Sequence, residues 1–353
     1  MKVQRTFAAT AAGLTFLLAG IALGTAAASP IKWVPVQLGT HQFGRLRAPD
    51  AVVAHAGPAE VAFNKRGACG CLDGPQGPML FDVAPNGSIW LFDVLNHRLL
   101  VWQHGRPARP ARALALPKLD VRDFAVGRDG TVYLHAVYAD PPAGDSGATL
   151  WALAPSGKVR WRAQALMGSA LRIGSNGVLY SVGARKQDPG AWTPLTTPAG
   201  RPLSLAAQRR GTMTFQPLAS GVHLVASRLG AHEVHFALVD RSRKVVRAWR
   251  VLSKTPLALA QRTLTPALVG GDLVVELDVS RQVRSTLRSE HVVMRLSPTG
   301  MRKRFSLDAK TVWGDNGDQP VAALRIGSDG RLYQLRTNPK TGASIARYSL
   351  GAA

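Results

Sequence analysis

Acidic side chains are scarce in this chain: 21 Asp and Glu stand against 44 Lys and Arg, a formal net charge of +23 over 353 residues. Such a surplus favours anionic partners such as wall polymers, acidic lipid headgroups, polysaccharide or nucleic acid. No block of five or more like charges occurs, so the same surplus also reads as charge spread over a solvated surface. Cysteine is nearly absent, with Cys69 and Cys71 flanking Gly70 as the only two. They suit a small local disulfide or a pairing with another chain; a redox role is the alternative, and two thiols fall short of the four ligands of a structural zinc site. Long helical periodicity is missing outside the N-terminus, and beyond residue 28 no apolar run is long enough to cross a membrane. The chain also lacks a Gly-x-Ser-x-Gly elbow, a phosphate loop, a dinucleotide fingerprint and a His-Glu-x-x-His motif, so no reaction is legible from a catalytic signature.

What is present begins with Lys2 and Arg5, an apolar run from Phe7 to Ala28, and the small residues Ala26-Ala27-Ala28 before Ser29-Pro30. This layout predicts a secretory signal peptide over 1–28, removed after Ala28, and hence a secreted or extracytoplasmic protein; an uncleaved membrane anchor is the alternative. No Cys closes the run, which argues against a lipoprotein. Residues 29–353 are expected to form one domain, with 29–66 a closing segment and 67–353 a set of repeats.

The repeat is clearest in Phe81 to Trp102, FDVAPNGSIWLFDVLNHRLLVW. Phe81-Asp82-Val83 alternates as a strand, Pro85-Asn86-Gly87 turns, Ile89-Trp90-Leu91-Phe92 returns, Asp93 to Asn96 turns again and Leu99 to Trp102 forms a third strand. The turn recurs as Gly127-Arg128-Asp129-Gly130, Gly174-Ser175-Asn176-Gly177 and Gly327-Ser328-Asp329-Gly330, each followed by a strand carrying Tyr133, Tyr180 or Tyr333 in the register of Trp90. Weaker copies surround Gly221 and Gly271, so the turn glycines recur every 43 to 59 residues. Four strands per unit at that period predict an all-β, six-bladed β-propeller of four-stranded antiparallel blades. The last unit, Leu324 to Leu350, has only three strands, and Ile31 to Phe63 has strand-like runs but no blade of its own. Ile31 to Leu38 or Val52 to Phe63 is therefore expected to close the ring as the outer strand of the last blade.

The run Asp82 to Trp102, with Asn86-Gly87, Asp93, Asn96-His97 and Arg98 to Trp102, resembles an NHL repeat. The other units depart from it: Tyr133-Leu134-His135-Ala136 and Tyr180-Ser181-Val182-Gly183 lack the Asp and Asn after the second strand. The resemblance implies an exported propeller that uses the mouth of its central channel, on loops entering the innermost strands. Lyases and lactonases of similar architecture use His or carboxylate clusters from several blades there, often with a divalent metal. Here the histidines are dispersed; His232 and His235 are close, but strand spacing of three points them to opposite faces.

Candidate ligand-binding residues come from the innermost strands: Asp82, Arg122, Asp123, Arg172 and Arg325. They read either as a ring of charge around an anion-binding mouth or as salt bridges between neighbouring blades. A basic stretch with an aromatic, Arg241 to Arg250 including Trp249, offers a second place for polyanions. No catalytic residue, metal site or cofactor is assigned. The expected function is a monomeric, non-enzymatic binding or scaffold protein for a protein, glycan or other anionic ligand, without sequence-specific nucleic-acid recognition. The alternative is an extracytoplasmic lyase or hydrolase at the channel mouth.

Overall fold

The computed structural model describes residues 31–64, 76–103, 110–137, 148–166, 168, 170–183, 191–218, 221–259, 264–283, 286–313 and 323–351. The expectations for residues 1–28 and for Cys69 and Cys71 lie outside them.

Two strands precede the repeats, β1 (Trp33–Gly39) and β2 (Ala51–Ala56). Blade one holds β3 (Leu80–Val83), β4 (Ile89–Asp93), β5 (Arg98–Trp102) and β6 (Arg112–Ala115). Blade two holds β7 (Asp120–Val126), β8 (Val132–Val137), β9 (Ala148–Leu153) and β10 (Val159–Gln164). Blade three is shorter, with β11 (Ala170–Ile173), β12 (Leu179–Val182) and β13 (Trp192–Pro194), followed by helix α1 (Leu205–Gly211), which Ser204 caps. Blade four comprises β14 (Gln216–Pro217), β15 (His223–Gly230), β16 (Glu233–Val239) and β17 (Val245–Ser253). In blade five the inner edge is divided between β18 (Leu257–Leu259) and β19 (Ala267–Val269), both paired with β20 (Asp272–Val283), and β21 (Thr286–Ser297) and β22 (Gly300–Asp308) follow. Blade six has β23 (Leu324–Ile326), β24 (Leu332–Asn338) and β25 (Gly342–Tyr348). The six antiparallel sheets make a six-bladed β-propeller, as the repeat period predicts.

The turn between first and second strands explains the regularity. Gly87, Gly130, Gly177, Gly221, Gly271 and Gly330 all adopt positive φ, between 68° and 80°, which a side chain would disfavour. One residue earlier, in the four clear copies, Asn86, Asp129, Asn176 and Asp329 accept the backbone N–H two residues on, at 3.0–3.1 Å. This Asx turn pins the hairpin whichever of the two side chains is present.

Both faces of the blades are apolar, and most seams are filled by clusters that span two sheets. Trp90, Phe92 and Leu99 of blade one pack with Phe124, Val126 and Leu134 of blade two. Blades four and five meet through Phe236, Trp249, Val275 and Met294, and blades six and one through Ile345, Leu335, Phe81 and Trp102.

Closure is resolved in favour of the second candidate. Strand β2 pairs antiparallel with β25, Ala51 opposite Arg347 and Ala56 opposite Ala343, and completes blade six. Strand β1 does something the sequence did not suggest: it adds in parallel to β17 as a fifth strand on blade four. Ala54 is fully buried in the seam between blades six and one, whereas Val52 is half exposed. The substitution Ala54→Asp is therefore expected to destabilise the protein by about 3 kcal/mol or more, the cost of an unpaired buried carboxylate, while Val52→Asp changes little. Equal melting temperatures for the two variants in thermal unfolding would show that β2 does not lock the ring.

Candidate functional site

The inner strands of the six blades converge on an axial cavity of about 580 Å³. Every blade contributes: Asp82 and Val83, Val126 and Arg128, Arg172 and Ile173, Gln216 to Leu218, Thr265 to Gly270, and Arg325 to Gly330. The rim is made by turns that leave the innermost strands, so the cavity opens at the end opposite to the entering loops singled out from the family resemblance.

Four of the five candidate residues are brought together here. Asp123, 2% exposed, accepts from the Phe124 N–H at 2.9 Å and, across the seam to blade three, from the Leu171 N–H at 2.7 Å and Arg172 Nη1 at 2.9 Å. Asp82 makes the same kind of link one blade earlier, accepting from the Val83 N–H at 3.0 Å and from the Val126 N–H of blade two at 2.8 Å. Arg172 also donates through Nε to the Thr265 hydroxyl of blade five. Arg325 reaches in from blade six, with Nε 3.5 Å from Asp82 and Nη2 3.9 Å from Asp123. Arg122 does not join them; it pairs with Asp120 at 2.6 Å and is partly exposed.

Burial dominates the electrostatics. It raises the Asp82 carboxyl above the ordinary range, against the opposing pull of Arg325. Burial and the neighbouring Arg172 charge lower Arg325 to about 10, which leaves it cationic at neutral pH. Its Nη1 donates to the Leu324 carbonyl at 3.1 Å, while Nε and Nη2 have no hydrogen-bond partner among the described residues. The cavity thus holds a carboxyl raised by burial beside a cationic guanidinium that faces it at 3.5 Å.

Other candidates are placed elsewhere. His235 binds Glu233 at 2.7 Å beside the Trp33 ring, and His232 lies in the turn before β16. Trp249 is buried, with Nε1 donating to the Ser297 carbonyl at 2.8 Å, so it offers no stacking surface to a polyanion. The sequence reading missed a group on blade five: His291 Nδ1 lies 2.5 Å from Glu276 and 2.7 Å from Asp278. The ligand atoms of these three residues lie within 4.8 Å of one another, a donor set compatible with a divalent cation. The signal was the alternation Glu276-x-Asp278 along β20 facing His291 on β21, visible only once the pairing was known. Burial opposes charge on His291, but the two carboxylates more than offset it and lift the ring to about 10.

No family model and no curated protein matches the sequence. Solved structures similar in fold include the hydrazine synthase of Kuenenia stuttgartiensis, at 12% identity over 72% of each chain with a TM-score of 0.42. Streptogramin B lyase is similar at 9% identity, 81% of this chain, 98% of that one and 0.39. The PQQ-bound aldose sugar dehydrogenase of Streptomyces coelicolor is similar at 10% identity, 85% of this chain, 96% of that one and 0.41. The likeness is one of fold. These similar structures are enzymes, which stands against the expectation of a non-enzymatic binding or scaffold protein.

A nearby histidine supplies a pH test. His135, cross-strand from Asp123 and 6% exposed, is lowered to about 4 by burial, with Asp123 opposing and Arg122 adding to the shift. A lowered histidine stays neutral in the fold while the unfolded chain takes up a proton, so its contribution is intact above about pH 6.5 and is lost as pH falls toward 4, up to about 3 kcal/mol. The variant His135→Gln is expected to lose less stability than wild type between pH 7 and 4.5 in urea unfolding; parallel pH profiles would refute a buried neutral ring.

Proposed function

We propose that the protein is an extracytoplasmic enzyme, a lyase or hydrolase, whose active site is the axial cavity. The observation that carries this reading is Asp82: a carboxyl raised by burial, lining the cavity, 3.5 Å from a cationic Arg325. A carboxyl shifted upward holds a proton more tightly than a free one, which makes it a better base for taking a proton from a substrate or water and an acid for returning it to a leaving group. The Arg325 charge lies where it favours negative charge carried by, or developing on, the oxygen beside the reacting atom, in a site where low dielectric strengthens the interaction. Asp329, the other acid on the rim, accepts from the Arg331 N–H at 3.1 Å and the Tyr333 hydroxyl at 2.8 Å.

The reading also takes residues 29–353 to be one exported NHL-type propeller domain, with anionic small molecules or glycans as ligands. No helix among the described residues is long and apolar enough to cross a membrane. Removal of the leader after Ala28 is supported by the small side chains of Ala26 and Ala28 before Ser29. Intact-mass measurement of exported protein is expected to place the N-terminus at Ser29; a mass that includes Met1 would refute export by this route.

A panel of lactones, esters and β-eliminating substrates tests the site. On the substrate turned over, Asp82→Asn is expected to lower kcat by roughly 100- to 10,000-fold with the fold retained, since the amide oxygen still accepts one backbone N–H. Undiminished turnover in Asp82→Asn would place the chemistry outside the cavity.

A further inference from the structure

The seam between blades five and six holds a polar group away from the axis. Alternation along β20 puts Asp272, Val274, Glu276 and Asp278 on one face, and the cross-strand pairs Glu276–Val293 and Asp278–His291 put those β21 side chains on the same face. Val274 and Val293 pack there against Leu324, Leu332 and Tyr348 of blade six, so the face is turned to the seam. His291 stands directly opposite Asp278 and diagonal to Glu276; its Nδ1 lies 2.7 Å from the first carboxylate and 2.5 Å from the second. None of the three residues lines the axial cavity.

The same row of side chains offers a contrast. Asp272 pairs with guanidinium groups, Arg295 at 2.8 Å and Arg302 at 3.1 Å, and these have no lone pair to give a metal. Beside Glu276 and Asp278 the base is a histidine, which ligates metals through either ring nitrogen. A single N–H directs a good hydrogen bond at one acceptor, yet here two carboxylates converge on one nitrogen. Three donor atoms within 4.8 Å of one another meet the requirement of a cation better than that of one N–H. The charge fits as well. Two carboxylates and a neutral imidazole carry two negative charges, which a divalent cation cancels where Glu276 and His291 are only 4% and 5% exposed. One nitrogen with two oxygens suits zinc and its first-row neighbours over magnesium and calcium, which favour all-oxygen sets. Three protein ligands leave a position for water, and Asp278, with 39% of its side chain exposed, brings the group within reach of solvent.

We propose that Glu276, Asp278 and His291 form a mononuclear site for zinc or a neighbouring first-row divalent cation in the seam between blades five and six. On binding, the Nδ1 proton passes to solvent, and the nitrogen lone pair and an oxygen of each carboxylate take the metal. The site is independent of the reading that places catalysis in the axial cavity.

Calorimetric titration of the full chain, stripped with a chelator and carrying no histidine tag, tests it with zinc and magnesium chlorides. The wild type is expected to take up one equivalent of zinc and to bind magnesium more weakly. Asp278→Asn keeps the shape of a partly exposed side chain and removes a ligand oxygen's charge. It is expected to weaken zinc binding by at least the roughly 10- to 100-fold that follows loss of an outer-shell partner, with the metal-free melting temperature close to that of wild type. His291→Gln is expected to weaken it as much or more. His232→Gln, at an exposed position in a turn of blade four, is expected to leave the affinity unchanged. Zinc affinity that Asp278→Asn leaves unchanged, or that falls equally in His232→Gln, overturns the proposal by placing the metal elsewhere. Tighter binding of magnesium than of zinc overturns it too. Absence of saturable zinc binding by the wild type overturns it with no variant having to fold.

Discussion

A twisted sheet with apolar side chains on both faces cannot end in water on either side, and this requirement organises the whole molecule. Each blade covers its neighbour until the ring must shut, and blade six supplies three of its four strands from the C-terminal run. The fourth comes from β2, whose Ala54 and Ala56 are small enough to let Phe81, Trp102 and Ile345 close over them. The segment after β2 then ties blade one to the closure. Asp93 accepts the Ala62 N–H at 3.2 Å, Arg98 donates to the Glu60 carbonyl at 2.8 Å, and Trp102 Nε1 donates to the His55 carbonyl at 3.3 Å. Sheet pairing joins β2 to blade six and side chains join β2 and its continuation to blade one, so the seam between these two blades is fastened twice.

The same packing that buries the blades' faces crowds their inner edges at the axis, where polar side chains lose water and must find partners. Two consecutive blades solve this alike. Asp82 takes the backbone of blade two at Val126, and Asp123 takes the backbone of blade three at Leu171. Each carboxylate replaces a hydration shell with N–H groups already fixed by the neighbouring strand, which makes the link cheap in entropy as well as enthalpically sound. Arg172 completes the Asp123 pair and reaches Thr265 across the axis, so blades two, three and five share one polar contact.

Much of this was legible because the repeat writes its turn chemistry into residue type. A glycine that needs positive φ, preceded by an Asn or Asp whose side chain closes the turn, is a local signal, and four copies of it with an aromatic in register, together with two faint ones, set the blade number. The faint copies at Gly221 and Gly271 keep the positive φ of the turn glycine but lack the Asx residue, and Gly271 follows a second positive-φ glycine, Gly270. What was not legible is long-range. Ile31 to Leu38 and Val52 to Phe63 have similar apolar runs, and only the shape of the available edges sends the first to β17 in parallel and the second to β25 antiparallel. Blade three keeps three strands and a short helix, because after Trp192–Pro194 the chain forms the turn Pro198-Ala199-Gly200 and the capped helix rather than a fourth strand. The charged residues at the axis could be named from their strand positions, Asp82, Asp123, Arg172 and Arg325 among them, but Arg122 points away from them on the same strand as Asp123. The His291 group escaped notice because cross-strand register, not sequence spacing, assembles it.

The two readings open at the level of sequence, an anion-binding mouth or salt bridges between blades, meet in one cluster at the axis. Hydrogen-bond completeness separates them. Asp123 has every close donor it can use and Arg172 spends its Nη1 and Nε within the protein, so this pair is structural. Arg325 faces the same carboxylates at 3.5 and 3.9 Å, an ion pairing without close hydrogen bonds from Nε and Nη2. Asp82 lies between the two cases: its oxygens are held by backbone, yet desolvation shifts its proton affinity upward. A ring that needed only to be stable would place apolar side chains at its axis, since a buried ion pair seldom improves on good packing. Charge retained where the inner strands converge is therefore an argument for chemistry at the axis and not for stability.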